Sequence, residues 1–450
     1  MLRVILTALT VTRAGDGLPI KSPTDVGMSS SRLAAIERVI ERGIKAGGYP
    51  GAAVVVGRNG AAVYEKGFGK LSWSESSTPV DAQRTIYDIA SLSKVVGTTT
   101  AIMILFDEKK IGLDDPVVNY IPTFGGGDKD KVTIRMLLTH TSGLPAGRDI
   151  WRIAQTPLEA RALVLNTPLE GRPGMQYIYS DLGADVLGMI VEVVAGEPLD
   201  KFLTRRVFEP LGMNETMYRP ADSLKYRIAP TEVTPPRGYP LRGEVHDENA
   251  YALGGVAGHA GLFSTAADLS VFAQMMLNGG EYNGVQIISK PTVDLFTTRA
   301  FGHRALGWDT AEGDYGSGRY LGPTAYGHTG FTGTSMWIDP ERGMFVVLLT
   351  NRVHAARALR PAKVISDVRA DLSDAAVLSV VDGPKVAASR GFRADREVGW
   401  NPPPPRASRR RHGSSRHHTI ASATSSSRSS AKKSTSSKKS TTRKSTARKR

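Results

Sequence analysis

Three observations predict an α+β fold: one antiparallel sheet assembled from both ends of the chain, flanked by terminal helices, around a large and mostly helical middle. First, GAAVVVGRNGAAVYEKGFGK at 51–70 holds two β-rich runs either side of Arg58-Asn59-Gly60, and Asn-Gly between apolar runs is a strong short-range hairpin signal. Second, GHTGFTGTSMWIDPERGMFVVLLTNRV at 327–353 holds two further runs rich in Phe, Trp, Ile and Val, joined by the turn Asp339-Pro340-Glu341-Arg342-Gly343. Third, each pair is flanked by a helical pattern, MSSSRLAAIERVIERGIKAGGYPG before the first and RPAKVISDVRADLSDAAV after the second. Serines start the first helix and Gly47-Gly48 ends it. Segments this far apart in sequence share a core most simply as one sheet covered by the two helices.

Between them, residues 91–300 read as helices and loops, including the apolar helices that start near Ser91 and Asp181. The chain of 450 residues is 40% hydrophobic, enough for a substantial core. Its net charge of +15 is localised: 15 of the 58 Lys and Arg lie in residues 401–450, which hold no Asp or Glu. The body is therefore neutral. That tail opens with four prolines and continues in Ser, Thr, Lys, Arg and His, a composition that cannot bury enough surface to offset ordering entropy, so it is expected to be disordered. The expected organisation is an N-terminal segment at 1–24, a body at 25–381, a linker at 382–400 and the tail at 401–450. MLRVILTALTV at the start is at most a weak export signal, broken by Thr7 and Thr10. No run approaches the ~20 apolar residues of a membrane span. The absence of cysteine excludes disulfides, thiolate catalysis and cysteine-held metals.

DIASLSKVVG at 88–97 places Ser91 and Lys94 three residues apart at a helix start, where their side chains can meet. Serine is a poor nucleophile until its proton is taken, and a lysine buried among Ile86, Ile89, Val95 and Val96, with its pKa lowered by desolvation, can serve. The helix N-terminus favours negative charge on an attacked carbonyl oxygen. The pattern alone decides little, because it recurs three times in the tail, as at Ser429 and Lys432. Capping of an ordinary helix by Ser91 or Ser93 remains the rival reading. Tyr179-Ser180-Asp181 stands at the entrance of a second apolar helix, and His328-Thr329-Gly330 on a strand beside the downstream hairpin. Singly, each has a structural reading: a satisfied core tyrosine, an N-cap aspartate, a histidine at a turn.

In this order, Ser91-Leu92-Ser93-Lys94, Tyr179-Ser180-Asp181 and His328-Thr329-Gly330 resemble the three motifs of the serine β-lactamases and penicillin-binding proteins. The flanking strings LLTHTSGLP, GRPGMQYIYSDLG and GGVAGHAGLFSTAADLSVFAQMMLNGG are similar to the class C β-lactamase-related branch, which includes D-Ala-D-Ala carboxypeptidases, D-aminopeptidases and esterases. The resemblance covers residues 25–375. It implies a β-lactamase/transpeptidase-like fold and an acyl-enzyme on Ser91. Lys94 and Tyr179 would share the proton transfers, with the base unassigned between them. The N–H groups of Ser91 and Phe331 would form the oxyanion hole, and Asp181, His328, Thr329 and Gly330 would contact substrate. Two departures bear on substrate. His328 stands where β-lactamases often carry a fixed lysine charge, and Asp181 where an asparagine often donates; both point away from efficient β-lactam hydrolysis, towards esters or amides.

No cofactor and no metal is expected. His246 in VHDENA and His259 fit no metal-ligand spacing, and are read, with His140, as hydrogen-bonded loop histidines. A small-molecule or peptide acyl substrate is the expected partner. The tail is expected to bind nucleic acid or an anionic envelope polymer non-specifically. The alternative function is a penicillin-binding or sensing module with little turnover, whose tail binds such a polymer. The resemblance favours the cell envelope, periplasm or secretion, while the weak signal leaves the cytoplasm open.

Overall fold

In the computed structural model, the described residues are 17–311, 316–384 and 391–401. The tail and most of the N-terminal segment lie outside them. Six strands form the main antiparallel sheet: β1 (Gly51–Arg58), β2 (Ala61–Gly69), β3 (Asp309–Thr310), β4 (Tyr326–Thr329), β5 (Ser335–Asp339) and β6 (Met344–Thr350), in the order β2-β1-β6-β5-β4-β3. The first and last parts of the chain meet where β1 pairs with β6, Ala52 opposite Thr350 through Arg58 opposite Met344. Asn59 and Gly60, between β1 and β2, both take positive φ, as a two-residue type I′ turn requires.

Side-chain alternation divides the core in two. Ala52, Val54, Val56, Met344, Val346 and Leu348 pack under the Ala35–Lys45 and Pro361–Leu378 helices. Ala53, Val55, Phe345, Val347 and Leu349 face the helical region, which contains the Thr100–Asp107, Asp181–Ala195 and Ala266–Leu277 helices. A small sheet orders Tyr87–Asp88, Leu262–Ser264 and Met217–Tyr218 side by side within that region. The site lies where the helical region meets the β4 side of the main sheet.

One boundary moves. Residues 391–400 fall in the stretch expected to be linker, but they pack against the Pro361–Leu378 helix: Trp400 is fully buried, with Nε1 donating to Asp367 at 2.8 Å, and the Ala394 N–H donates to Asp371 at 2.6 Å. Arg393 pairs with Asp371 and Asp374 at 3.0 and 3.2 Å. The packed body therefore extends past residue 381. No helix among the described residues is long and apolar enough to cross a membrane.

Candidate active site

The Tyr87–Asp88 strand leads into a sharp turn at Ile89-Ala90. Ala90 has φ +49°, costly for a residue with a Cβ, and its N–H is held by Asp88 Oδ1 at 2.8 Å. Ser91 follows, half-buried. The helix behind it is wound as a π-helix over Lys94–Thr99 before becoming α-helical over Thr100–Asp107, a departure often found at functional sites.

Lys94 is 3% exposed; its ammonium donates to Ser91 Oγ at 2.9 Å and to the His259 carbonyl at 3.1 Å, and is ion-paired with Asp181 Oδ1 at 2.7 Å. Burial alone would push the lysine down, as the sequence suggested; the Asp181 carboxylate and the Tyr179 phenol outweigh it and hold Lys94 above its ordinary range. Lys94 rests as a cation. Asp181 directs Oδ1 to Lys94, and that cation and His259 hold its carboxyl below the usual range against the upward push of burial.

Ser180 caps the Asp181–Ala195 helix, its Oγ accepting the Gly183 N–H at 3.2 Å and donating to the Pro145 carbonyl at 2.6 Å. The chain on either side of Tyr179 is tied to His140: Ile178 N–H donates to its carbonyl at 2.9 Å and Ser180 N–H to its Nδ1 at 3.0 Å. That is the backbone-bonded loop histidine expected from LLTHTSG, and its ring also stacks on Tyr179 with centroids 4.6 Å apart. Lys94 Nζ lies 5.0 Å and the Arg304 guanidinium 5.6 Å from the centre of the Tyr179 ring. Arg304 is itself buried and paired with Asp309.

His328 on β4 is buried, with Nδ1 2.8 Å from the Thr329 carbonyl and its ring 6.0 Å from that of Tyr179. Burial lowers its pKa to about 4, with Arg304 and Lys94 adding to the drop and Asp309 opposing it. It is neutral at pH 7 and supplies no fixed charge. The turn after β4 is pinned to the nucleophile turn: Thr332 and Thr334 hydroxyls donate to the carbonyls of Asp88 and Ile89 at 2.8 and 3.0 Å. A Cβ on Gly330 would stand 2.5 Å from the Ile89 carbonyl, an approach only glycine tolerates. Arg369, on the Pro361–Leu378 helix, donates to the carbonyls of Gly330 and Thr334 at 2.5 and 2.8 Å. In a trans peptide C=O and N–H point opposite ways, so anchoring the Gly330 oxygen aims the Phe331 N–H away from Arg369.

The structure thus brings Ser91, Lys94, Tyr179, Asp181 and the His328–Phe331 segment together. His246 and His259 are hydrogen-bonded, as expected: His246 Nε2 to Glu232 at 2.7 Å, His259 to Asp185 at 2.7 Å and Asp247 at 2.9 Å. Reasoning from sequence missed Arg304, Asp309, Arg369 and the aspartates around His259. The string GGVAGHAG carried His259 and VHDENA carried Asp247; nothing local marked the arginines.

The family model described as Beta-lactamase matches residues 36–369, most of the chain. The chain belongs to the beta-lactamase family. Among relatives of this family member, an Escherichia coli K12 protein carrying the provisional name of a D-alanyl-D-alanine carboxypeptidase is 35% identical over 399 residues, 79% of this chain and 91% of that one. A Salmonella schwarzengrund protein with the same provisional name is 37% identical over 381 residues, 75% of this chain and 87% of that one. A penicillin-binding protein homologue from Pyrococcus abyssi superposes with a TM-score of 0.60 at 25% identity, covering 76% of this chain and 77% of that one. A class C beta-lactamase superposes at 0.62 with 18% identity, covering 79% and 98%, a likeness of fold alone. These members of the beta-lactamase family share a β-lactamase/transpeptidase-like architecture, and the family is one of serine hydrolases.

Proposed function

We propose that this chain hydrolyses small ester and D-alanyl-type amide bonds through an acyl-enzyme on Ser91, with Tyr179 as the proton acceptor and Lys94 as a permanent cation. The observation that carries this reading is the buried Lys94 ammonium, hydrogen-bonded to Ser91 Oγ at 2.9 Å and the His259 carbonyl at 3.1 Å and ion-paired with Asp181 at 2.7 Å. An ammonium has no lone pair for the serine proton, so Tyr179 takes it, reacting as the phenolate. Lys94 and Arg304 counter negative charge on that side chain. Ser91 Oγ bonds to the carbonyl carbon as its proton passes to Tyr179. The oxyanion is met by the N–H groups of Ser91 and Phe331, neither of which donates to another group among the described residues. Collapse of the tetrahedral intermediate expels the alcohol or amine, which takes the proton from Tyr179. Water then repeats the sequence on the acyl-serine and frees the acid.

The neutral His328 supports the substrate preference, because it places no cation where a β-lactam carboxylate needs one. The provisional names of the E. coli and Salmonella relatives support the D-alanyl amide. The test is a panel of nitrophenyl ester, D-Ala-D-Ala peptide and cephalosporin, with intact-mass detection of the adduct. Repeated turnover of ester or peptide and an adduct absent from Ser91→Ala are expected. An adduct that persists in Ser91→Ala, or efficient cephalosporin hydrolysis without ester or peptide turnover, refutes the reading. A single stoichiometric acylation without turnover favours the sensing module.

A further inference from the structure

Behind Lys94 lies a buried assembly of side chains that no step above uses. His259 is 2% exposed and sits between two carboxylates, Asp185 on the Asp181–Ala195 helix and Asp247 in the loop before the Glu248–Ala252 helix. Asp185 and Asp181 are four residues apart, so one helix face presents one carboxylate to His259 and another to Lys94. Burial would lower the imidazole, but the two aspartates carry it well above the ordinary histidine value, so both ring nitrogens donate.

The backbone around His259 is fixed at almost every residue. The Ala257 carbonyl accepts from Tyr218 at 3.2 Å and the Gly258 carbonyl from Thr98 at 2.7 Å, one helical turn beyond Lys94. Asp185 Oδ1 takes the Gly258 and His259 N–H groups at 3.0 and 3.3 Å as well as the ring, and Leu262 N–H donates to Ser93 at 3.1 Å. A Cβ at Gly258 would lie 1.9 Å from the Ala184 carbonyl, so the loop is pressed onto the helix. The carbonyl left pointing into the site is that of His259, 3.1 Å from Lys94 Nζ.

We infer that Asp185, His259 and Asp247 form a clamp that positions the catalytic ammonium: the side chain of His259 locks its own carbonyl in place as the acceptor that orients Lys94 towards Ser91. His259 is a positioning residue, acting through Lys94 without touching substrate. The clamp also joins the Asp247 loop to both catalytic helices. This rests on the proposed role of Ser91 and Lys94, so Ser91→Ala is measured alongside to show that the turnover belongs to this site.

The test is ester hydrolysis by His259→Ala, His259→Asn and His259→Gln, with the folded, acylatable fraction counted by intact mass. Asn can replace the N–H that faces Asp185, and Gln the one that faces Asp247. The Ala variant is expected to lose about 10²-fold in kcat at little change in KM, the scale on which slightly misplaced catalytic groups fail. Asn and Gln should each recover part of the loss. If the Ala variant does not fold, the other two are read against wild type. The inference is overturned if kcat per acylatable enzyme stays within about twofold of wild type, or if neither conservative variant exceeds Ala. Activity that survives in Ser91→Ala would instead refute the proposed function.

Discussion

Replacing Arg369 by Met separates stability from catalysis. Its guanidinium donates to the Gly330 and Thr334 carbonyls, and bonds from a charged donor contribute about 1.5–3 kcal/mol each. The same side chain is largely buried, and burial together with Arg352 lowers its pKa, so dehydrating it costs several kcal/mol that Met avoids. The two terms are of similar size and opposite sign. Resistance to urea should therefore change by no more than about 2 kcal/mol. Catalysis has no such offset, because the Gly330 carbonyl and the Phe331 N–H belong to one planar peptide unit. Loss of one oxyanion donor costs about 10²–10³-fold, so kcat for a nitrophenyl ester should fall about 10²-fold in Arg369→Met, with Arg369→Lys between. A Met variant that keeps more than half the wild-type kcat at unchanged stability would refute the claim that Arg369 aims that N–H.

Three further outcomes follow from the same geometry. Trp400→Ala should cost about 3–5 kcal/mol in urea unfolding, since the ring is fully buried; an unchanged midpoint would return residues 391–400 to linker. His328 has a folded pKa of about 4 against 6.5 unfolded, so the unfolded chain binds its proton first, and stability is lost as pH falls from about 6.5 to 4. Relative to His328→Asn, wild type should lose about 3 kcal/mol over that window, and parallel stability curves would contradict this. Deleting residues 401–450, which carry the excess charge, should leave ester hydrolysis unchanged and abolish salt-sensitive binding to DNA; a gel shift that survives would place the basic surface elsewhere.

What the sequence disclosed, it disclosed through local rules. Asn59-Gly60 marked its hairpin because only a few residues accept two successive positive φ values, and the unbroken apolar runs AAVVV and MFVVLL marked strands that the structure buries on both faces. The apolar neighbours of Lys94 correctly announced its burial. They could not announce the sign of its titration, which is set by Asp181, 87 positions away. Arg369 looks like an ordinary helix charge until the sheet brings Gly330 beneath it. His259 and Asp247 were read as loop residues, and only the fold shows that their loops converge on one lysine. Trp400, a single aromatic beside a run of prolines, carried too little periodicity to betray a packed segment.

The charge on Lys94 is the most direct test of this account. In protein labelled with ¹⁵N at lysine Nζ, the resonance missing from Lys94→Arg should keep an ammonium shift from pH 6 through 9. A Lys94 resonance that reports a neutral amine at pH 7 would make lysine the proton acceptor and contradict the assignment of Tyr179.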